Sequence, residues 1–170
     1  MRREDGFAEF YEANYGRIVA LAAAVLGDRH QAEDVAQEAF ARALARWPTV
    51  GGYDLPEAWV RRVALRLAVD AGRRTQRARR VSARLAAVKR RTAGEPGDLL
   101  ASTALGVALM RVPLRQREVL VMHYLADLPV EVIARDCGVP VGTVKTRLAA
   151  GRQRLERELM ECPEEVTDAG

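Results

Sequence analysis

The chain has 170 residues, 49% of them hydrophobic, which is enough apolar surface for a folded core and too much for a disordered chain. Its formal net charge of +4 permits an anionic partner such as nucleic acid without proving one. No apolar run is long enough to span a bilayer, and the opening MRREDGF lacks the apolar stretch of a signal peptide, so a cytoplasmic location is expected.

Only 5% of the residues are aromatic, so alanine, valine and leucine must fill the core. The pattern is helical throughout, and the expected fold class is all-α. The first helix should cover Phe7 to Leu26, with Asp5 as its N-cap and Gly27 as its stop. Phe7, Phe10, Tyr11, Ile18, Leu21, Ala22 and Val25 trace its apolar stripe. Asp28 can cap a second helix running to Trp47 and ended by Pro48. Val35, Ala36, Phe40, Ala43, Leu44 and Trp47 form its inner face. Its outer face carries Glu33, Asp34, Gln37, Glu38 and Arg42. Acidic residues near the helix start suit the helix dipole, so helix stabilisation alone accounts for them.

A loop from Thr49 to Leu55 follows, with Gly51, Gly52 and Tyr53. Its tyrosine either anchors the loop or stacks on an unpaired base, and anchoring is the commoner use. Asp54 and Pro56 then start a third helix. Trp59, Val60, Val63, Leu67 and Ala68 should face inward, and Arg61, Arg62, Arg66, Arg73 and Arg74 largely outward. From Gly72 to Gly94 there is no acidic residue. Such a charge run is usually a solvated face or a tail, but here it extends the basic side of the third helix, which favours a phosphate track. The break at Thr92 to Gly97 marks a linker with an edge reaching back toward Val81.

Beyond it, one helix is expected over Leu99 to Met110 and another from Pro113, with Leu114, Val119, Leu120, Met122 and Tyr124 in the core. His123 has no second ligand at metal spacing. The segment Pro129 to Arg157 then reads as two helices joined by a tight turn. Ala134 allows close approach, Gly138 supplies a left-handed residue to end the first helix, and Val144 plugs the gap between them. Pro140 suits the start of the second helix. Val141, Val144, Leu148 and Leu155 form its buried face, while Thr143, Lys145, Thr146, Arg147, Arg152 and Arg154 occupy the other positions. This is the chemistry of a helix laid in the major groove, with cations for phosphates and hydroxyl or guanidinium groups for base edges. The alternative is an ordinary αα-hairpin with a solvated basic face. Cys137 should pack beside the turn, and Cys162 lies near a polar, acidic tail; two such cysteines make neither a metal cluster nor a disulfide framework.

The expected organisation is therefore two small helical domains, residues 1–80 and 104–162. A basic linker, 81–103, joins them, and an acidic tail, 163–170, follows. No phosphate loop, no nucleophile beside a base and no paired metal ligands occur. A non-enzymatic protein without cofactor or metal is expected.

Three stretches resemble the bacterial sigma factors of the extracytoplasmic-function (ECF) group, the small two-domain members of the sigma-70 family. AEDVAQEAFARALARW, Ala32 to Trp47, resembles the helix that grips the β′ clamp helices of core RNA polymerase. PEAWVRRVALRLAVDAGRR, Pro56 to Arg74, resembles the helix that reads and melts the minus-ten promoter element. VPLRQREVLVMHYL with LPVEVIARDCGVPVGTVKTRL resembles the helix-turn-helix domain that binds the minus-thirty-five element. The order and the linker make the set more specific than any single motif.

The resemblance implies an alternative sigma factor whose partners are core RNA polymerase, through its β′ and β subunits, and promoter DNA, both duplex and single-stranded. It also implies control by an anti-sigma protein. It assigns Asp34 and Gln37, with Glu38 on the same face, to polymerase binding. It assigns Tyr53, Arg61, Arg62, Arg66, Arg73 and Arg74 to the downstream element, and Thr143, Lys145, Thr146, Arg147 and Arg152 to the upstream one. The chain departs from the family where Arg66 replaces a common asparagine and Ala150 a common arginine. It also has Pro129 where a Ser or Thr usually caps the helix, leaving Asp127 as a substitute cap. Two other readings compete. One is an autonomous helix-turn-helix regulator, usually a dimer on spaced half-sites. The other is a helical scaffold for an acidic protein.

Overall fold

The computed structural model describes residues 6–83 and 103–161, and among them every regular element is helical. The chain divides into two units, Met1–Ala93 and Gly94–Gly170.

In the first unit α1 (Phe7–Leu26), α2 (Arg29–Ala45) and α4 (Pro56–Ala83) pack against one another in all three pairings, and the short α3 (Trp47–Val50) joins α2 to the loop before α4. Alanine makes the packing close. Ala32, Ala36, Ala39 and Ala43 of α2 are fully buried and lie on one stripe. Small side chains let helix axes approach, and Val25, Phe40, Val60, Leu65 and Val69 fill what remains. The aromatic residues gather at one end: Phe7, Phe10, Tyr11, Tyr15, Phe40 and Trp47 form a continuous set of tilted and edge-on pairs with centroids 4.9–6.5 Å apart.

The helix boundaries have local causes. Asp28 is extended, and its carboxylate accepts hydrogen bonds from the backbone N–H and the side-chain amide of Gln31, both at 3.1 Å. Helix α1 differs from expectation. Its N-cap is Gly6, at φ 88° with no side-chain cap bond, and the expected cap Asp5 lies outside the described residues. The end of α2 also differs. The helix stops at Ala45, Arg46 leaves helical geometry, and Pro48 sits in the first turn of α3. A proline cannot continue α2, because it lacks an N–H and its ring would strike the preceding turn, but it fits the start of a new one. The expected loop therefore begins after Val50, which is itself buried. Leu44, expected on the inner face, is 39% exposed. Helix α4 runs on to Ala83, past the expected domain edge at residue 80; most of the predicted linker lies outside the described residues.

In the second unit α5 (Ala104–Arg111), α6 (Leu114–Leu120), α7 (Val130–Cys137) and α8 (Val141–Glu161) surround a core of Leu109, Val119, Met122, Ile133, Val144 and Leu148. Thr103 caps α5 by accepting from the N–H of Gly106 at 3.0 Å, and residues 99–102, expected to begin that helix, lie outside the described residues. Buried Arg117 donates to the carbonyls of Met110 and Val112, both at 3.2 Å, satisfying acceptors left open where α5 ends.

A π-helical turn, Val121–Leu125, continues α6. It inserts extra backbone into one helical turn and rotates the residues beyond it. Tyr124, expected in the core, is consequently half exposed, while Met122 stays fully buried. Helix α7 begins at Pro129 without a side-chain cap, so Asp127 does not serve as one. Asp127 instead takes φ 52° in the connecting turn, a left-handed conformation that aspartate tolerates better than most residues. His123 Nδ1 lies 3.1 Å from the carbonyl oxygen of Leu128, tying that turn back to the helix.

Candidate nucleic-acid and partner interfaces

Helices α7 and α8 meet across a turn whose geometry follows from three residues. Gly138 sits at φ 66°, and its N–H bonds the Arg135 carbonyl as α7 ends. Ala134 and Val144 are buried between the helices. Cys137 packs beside the turn, with its Sγ 3.7 Å from Met122 Sδ. Gly151, farther along α8, lies against α6, where an added Cβ would stand 3.0 Å from Leu120 Cδ1 and 3.3 Å from Gln116 Cβ.

This packing leaves Gly142, Lys145, Thr146, Ala149, Arg152 and Gln153 of α8 exposed and Thr143 partly so. The Thr146 hydroxyl donates to the Gly142 carbonyl at 2.9 Å. Two of the arginines predicted to meet DNA are already held by the protein. Arg152 Nη1 donates to the phenol oxygen of Tyr124 at 2.8 Å, a contact made available by the π-helical turn. Arg147 does not stand outward: its side chain is only 17% exposed, and its Nη1 lies 3.6 Å from Oε1 of the fully buried Glu118 on α6. Arg154 pairs with Glu158 at 2.8 Å. Sequence position alone gave no sign of these partners. Tyr124 and Glu118 are both unassigned by the helix-turn-helix pattern.

In the first unit, Asp34, Gln37 and Glu38 are exposed on α2, and exposed Leu44 lies beyond them on the same helix. Glu38 pairs with Arg42 one turn on, at 2.7 Å. On α4, Arg66 and Arg74 are exposed, whereas Arg61, Arg62 and Arg73 are half buried. The Nε atoms of Arg61 and Arg73 are buried, so their stems lie along the protein and only the ends of the side chains can reach out. Arg74 shares a groove of about 280 Å³ with Asp34, Glu38, Gln31, Leu67 and Ala71. The resemblance assigns Arg74 and the two carboxylates to separate interfaces; in the structure they line one groove. The loop before α4 carries Tyr53, 46% exposed, and Leu55, 61% exposed.

A model of sigma-70 region 2 matches residues 10–78, and a model of sigma-70 region 4 matches residues 102–155. The chain is 30% identical over 171 residues to the ECF RNA polymerase sigma factor SigW of Bacillus subtilis, covering 92% of this chain and 90% of SigW. It is also 30% identical to the ECF sigma factor SigE of Mycolicibacterium smegmatis, covering 95% of this chain but 64% of that protein. Among solved structures, the Bartonella quintana sigma factor RpoE in complex with the anti-sigma factor NepR has the same fold. It is 24% identical, with 94% of this chain and 99% of that one covered at a TM-score of 0.62.

The two regions in succession define a sigma-70 type initiation factor, and the chain belongs to the ECF RNA polymerase sigma factors. It is an alternative sigma factor that directs transcription initiation, and the reading as an autonomous regulator is not favoured. Sigma factors are non-catalytic. Among the described residues no helix is long and apolar enough to cross a membrane.

Proposed function

We propose that the first unit grips core RNA polymerase through Asp34, Gln37 and Glu38 of α2 and opens promoter DNA with α4 and the loop before it. In this reading the second unit holds the minus-thirty-five element with α8. The observation that carries it is the exposed row of Lys145, Thr146 and Ala149 on a helix set by the Gly138 turn. A helix with a cation and a hydroxyl beside a small residue can lie close in the major groove and contact both phosphates and base edges. Thr143 and Arg152 flank that row, and Arg147 lies inward of it.

Strand separation costs stacking and pairing energy, which trapping unpaired bases on aromatic and cationic groups offsets. Exposed Tyr53 and Leu55 offer the apolar surface, and Arg61, Arg62, Arg66 and Arg73 the cationic track. Asp34 and Glu38, one helical turn apart, suit a basic partner helix. Arg74, across the groove from them, belongs to the polymerase-facing edge as much as to the DNA track. The protein acts in the cytoplasm, without catalysis of its own, and an anti-sigma protein keeps it inactive until needed.

The test is co-elution with core polymerase followed by transcription from a cognate promoter. Asp34→Arg should abolish co-elution while leaving the circular dichroism spectrum unchanged. A variant that still co-elutes removes Asp34 from the interface.

A further inference from the structure

We propose that Arg147 is an internal strut rather than a reader of bases, and that Glu118 of α6 is the positioning residue that holds it. This rests on the assignment of α8 to the upstream promoter element. Glu118 is fully inaccessible within the core of the second unit, flanked in sequence by buried Arg117 and Val119. A carboxylate there is expensive unless a cation and hydrogen bonds compensate it. Arg147 brings a cation to 3.6 Å from α8, and its Nη1 atom is itself buried. A guanidinium drawn toward an interior carboxylate gives up reach toward solvent, and only 17% of this side chain remains exposed.

The pair also spans the right elements. Gly151 packs α8 on Leu120 of α6 one helical turn beyond Arg147, so an apolar contact and an ionic one fix the same helix pair side by side. Two such contacts set both the separation and the rotation of α8. The rotation decides which residues meet the duplex, and it presents Lys145, Thr146 and Ala149. Arg147 thus contributes to promoter choice by aiming its neighbours.

Paired replacement separates a strut from a reader. The variants are made in the full chain, assembled with core polymerase, and scored on a promoter library randomised in the upstream element. Hydrogen exchange of the α6 and α8 amides in the free full chain reports the fold. Arg147→Met alone removes the α8 cation from beside the buried carboxylate and should lower protection of those amides on the order of 100-fold. Glu118→Met combined with Arg147→Met should recover that protection and keep base discrimination within about twofold of the parent. Lys145→Ala should keep protection and lose about tenfold in discrimination.

A paired variant that recovers protection but loses discrimination as Lys145→Ala does would make Arg147 a reader and end the proposal. Unchanged protection in Arg147→Met alone also overturns it. So does failure of both the Met pair and a Gln pair, Glu118→Gln with Arg147→Gln, to recover protection, because charge compensation would then not be what links the two. If Lys145→Ala leaves discrimination intact, the assignment of α8 falls, and the exchange data still decide whether Arg147 is a strut.

Discussion

Asp28 shows how much one side chain decides. Its carboxylate takes the Gln31 N–H, and that backbone hydrogen bond, the largest cause, holds its pKa below the ordinary 3.8, with some opposition from burial. The folded-state pKa is depressed, so the cap's contribution is fully present above the unfolded value. It is lost as pH falls through the folded one, in the window below 3.8. Asp28→Ala should therefore cost about 1 kcal/mol at pH 7 in chemical denaturation, with the difference from the parent shrinking in acid below that value. The arginines of α8 teach the opposite lesson about legibility. Helical spacing marks Val144 and Leu148 as inward, and both are buried. It places Arg147 at the edge of the buried face, where reach toward DNA or toward the core depends on a carboxylate contributed by another helix. Glu118 stands four residues from both Leu114 and Met122 and so shares their inward face, but its charge reads as a surface residue. Arg152 is similar, because helical spacing puts its partner Tyr124 in the core, whereas the π-helical turn carries the phenol outward. We expect Tyr124→Phe to release Arg152 and change promoter affinity by less than tenfold, measured by holoenzyme binding at two salt concentrations.

At the scale of elements, the sequence was most informative where a breaker acts alone. Gly27 and Gly138 end α1 and α7 in left-handed geometry, as their positions suggested. Gly138 has no neighbour within 4 Å of an added Cβ, so Gly138→Ala should cost only the backbone strain, about 1 kcal/mol, measurable as a shift in the urea midpoint. Gly151 gave no such signal, since a glycine inside a helix reads as a weakness. Its reason lies on α6, where Leu120 is buried and cannot move far. Gly151→Leu should destabilise the second unit by roughly 1–3 kcal/mol through overpacking, read by the same titration. Pro48 was legible as an end to α2 but not as the start of α3, because continuing a chain into a new helical turn depends on Val50 finding a buried site. The π-helical turn was illegible for a related reason: its sequence, VMHYL, fits an ordinary helix, and the insertion becomes visible only from the hydrogen bond between the Ala126 N–H and the Val121 carbonyl.

For the molecule as a whole, the division of labour rests on charge placed by the fold. The exposed carboxylates of α2 lie on the first unit together with the arginines of α4, so one small bundle offers a cation-seeking edge and an anion-seeking one. Their meeting at Arg74, Asp34 and Glu38 is a tertiary feature that no reading of either helix alone would give. In the proposed reading the second unit contributes the duplex-binding face. The proposed reading requires the larger enzyme to supply the catalysis. Transcription reconstituted from purified core polymerase and a library of promoter fragments, with and without this chain, tests that directly. The account predicts defined transcripts only when the chain is added, sharing two sequence elements upstream of the start, with Asp34→Arg giving none. Equal, promoter-specific transcription by core polymerase alone, or undiminished activity of Asp34→Arg, would contradict it.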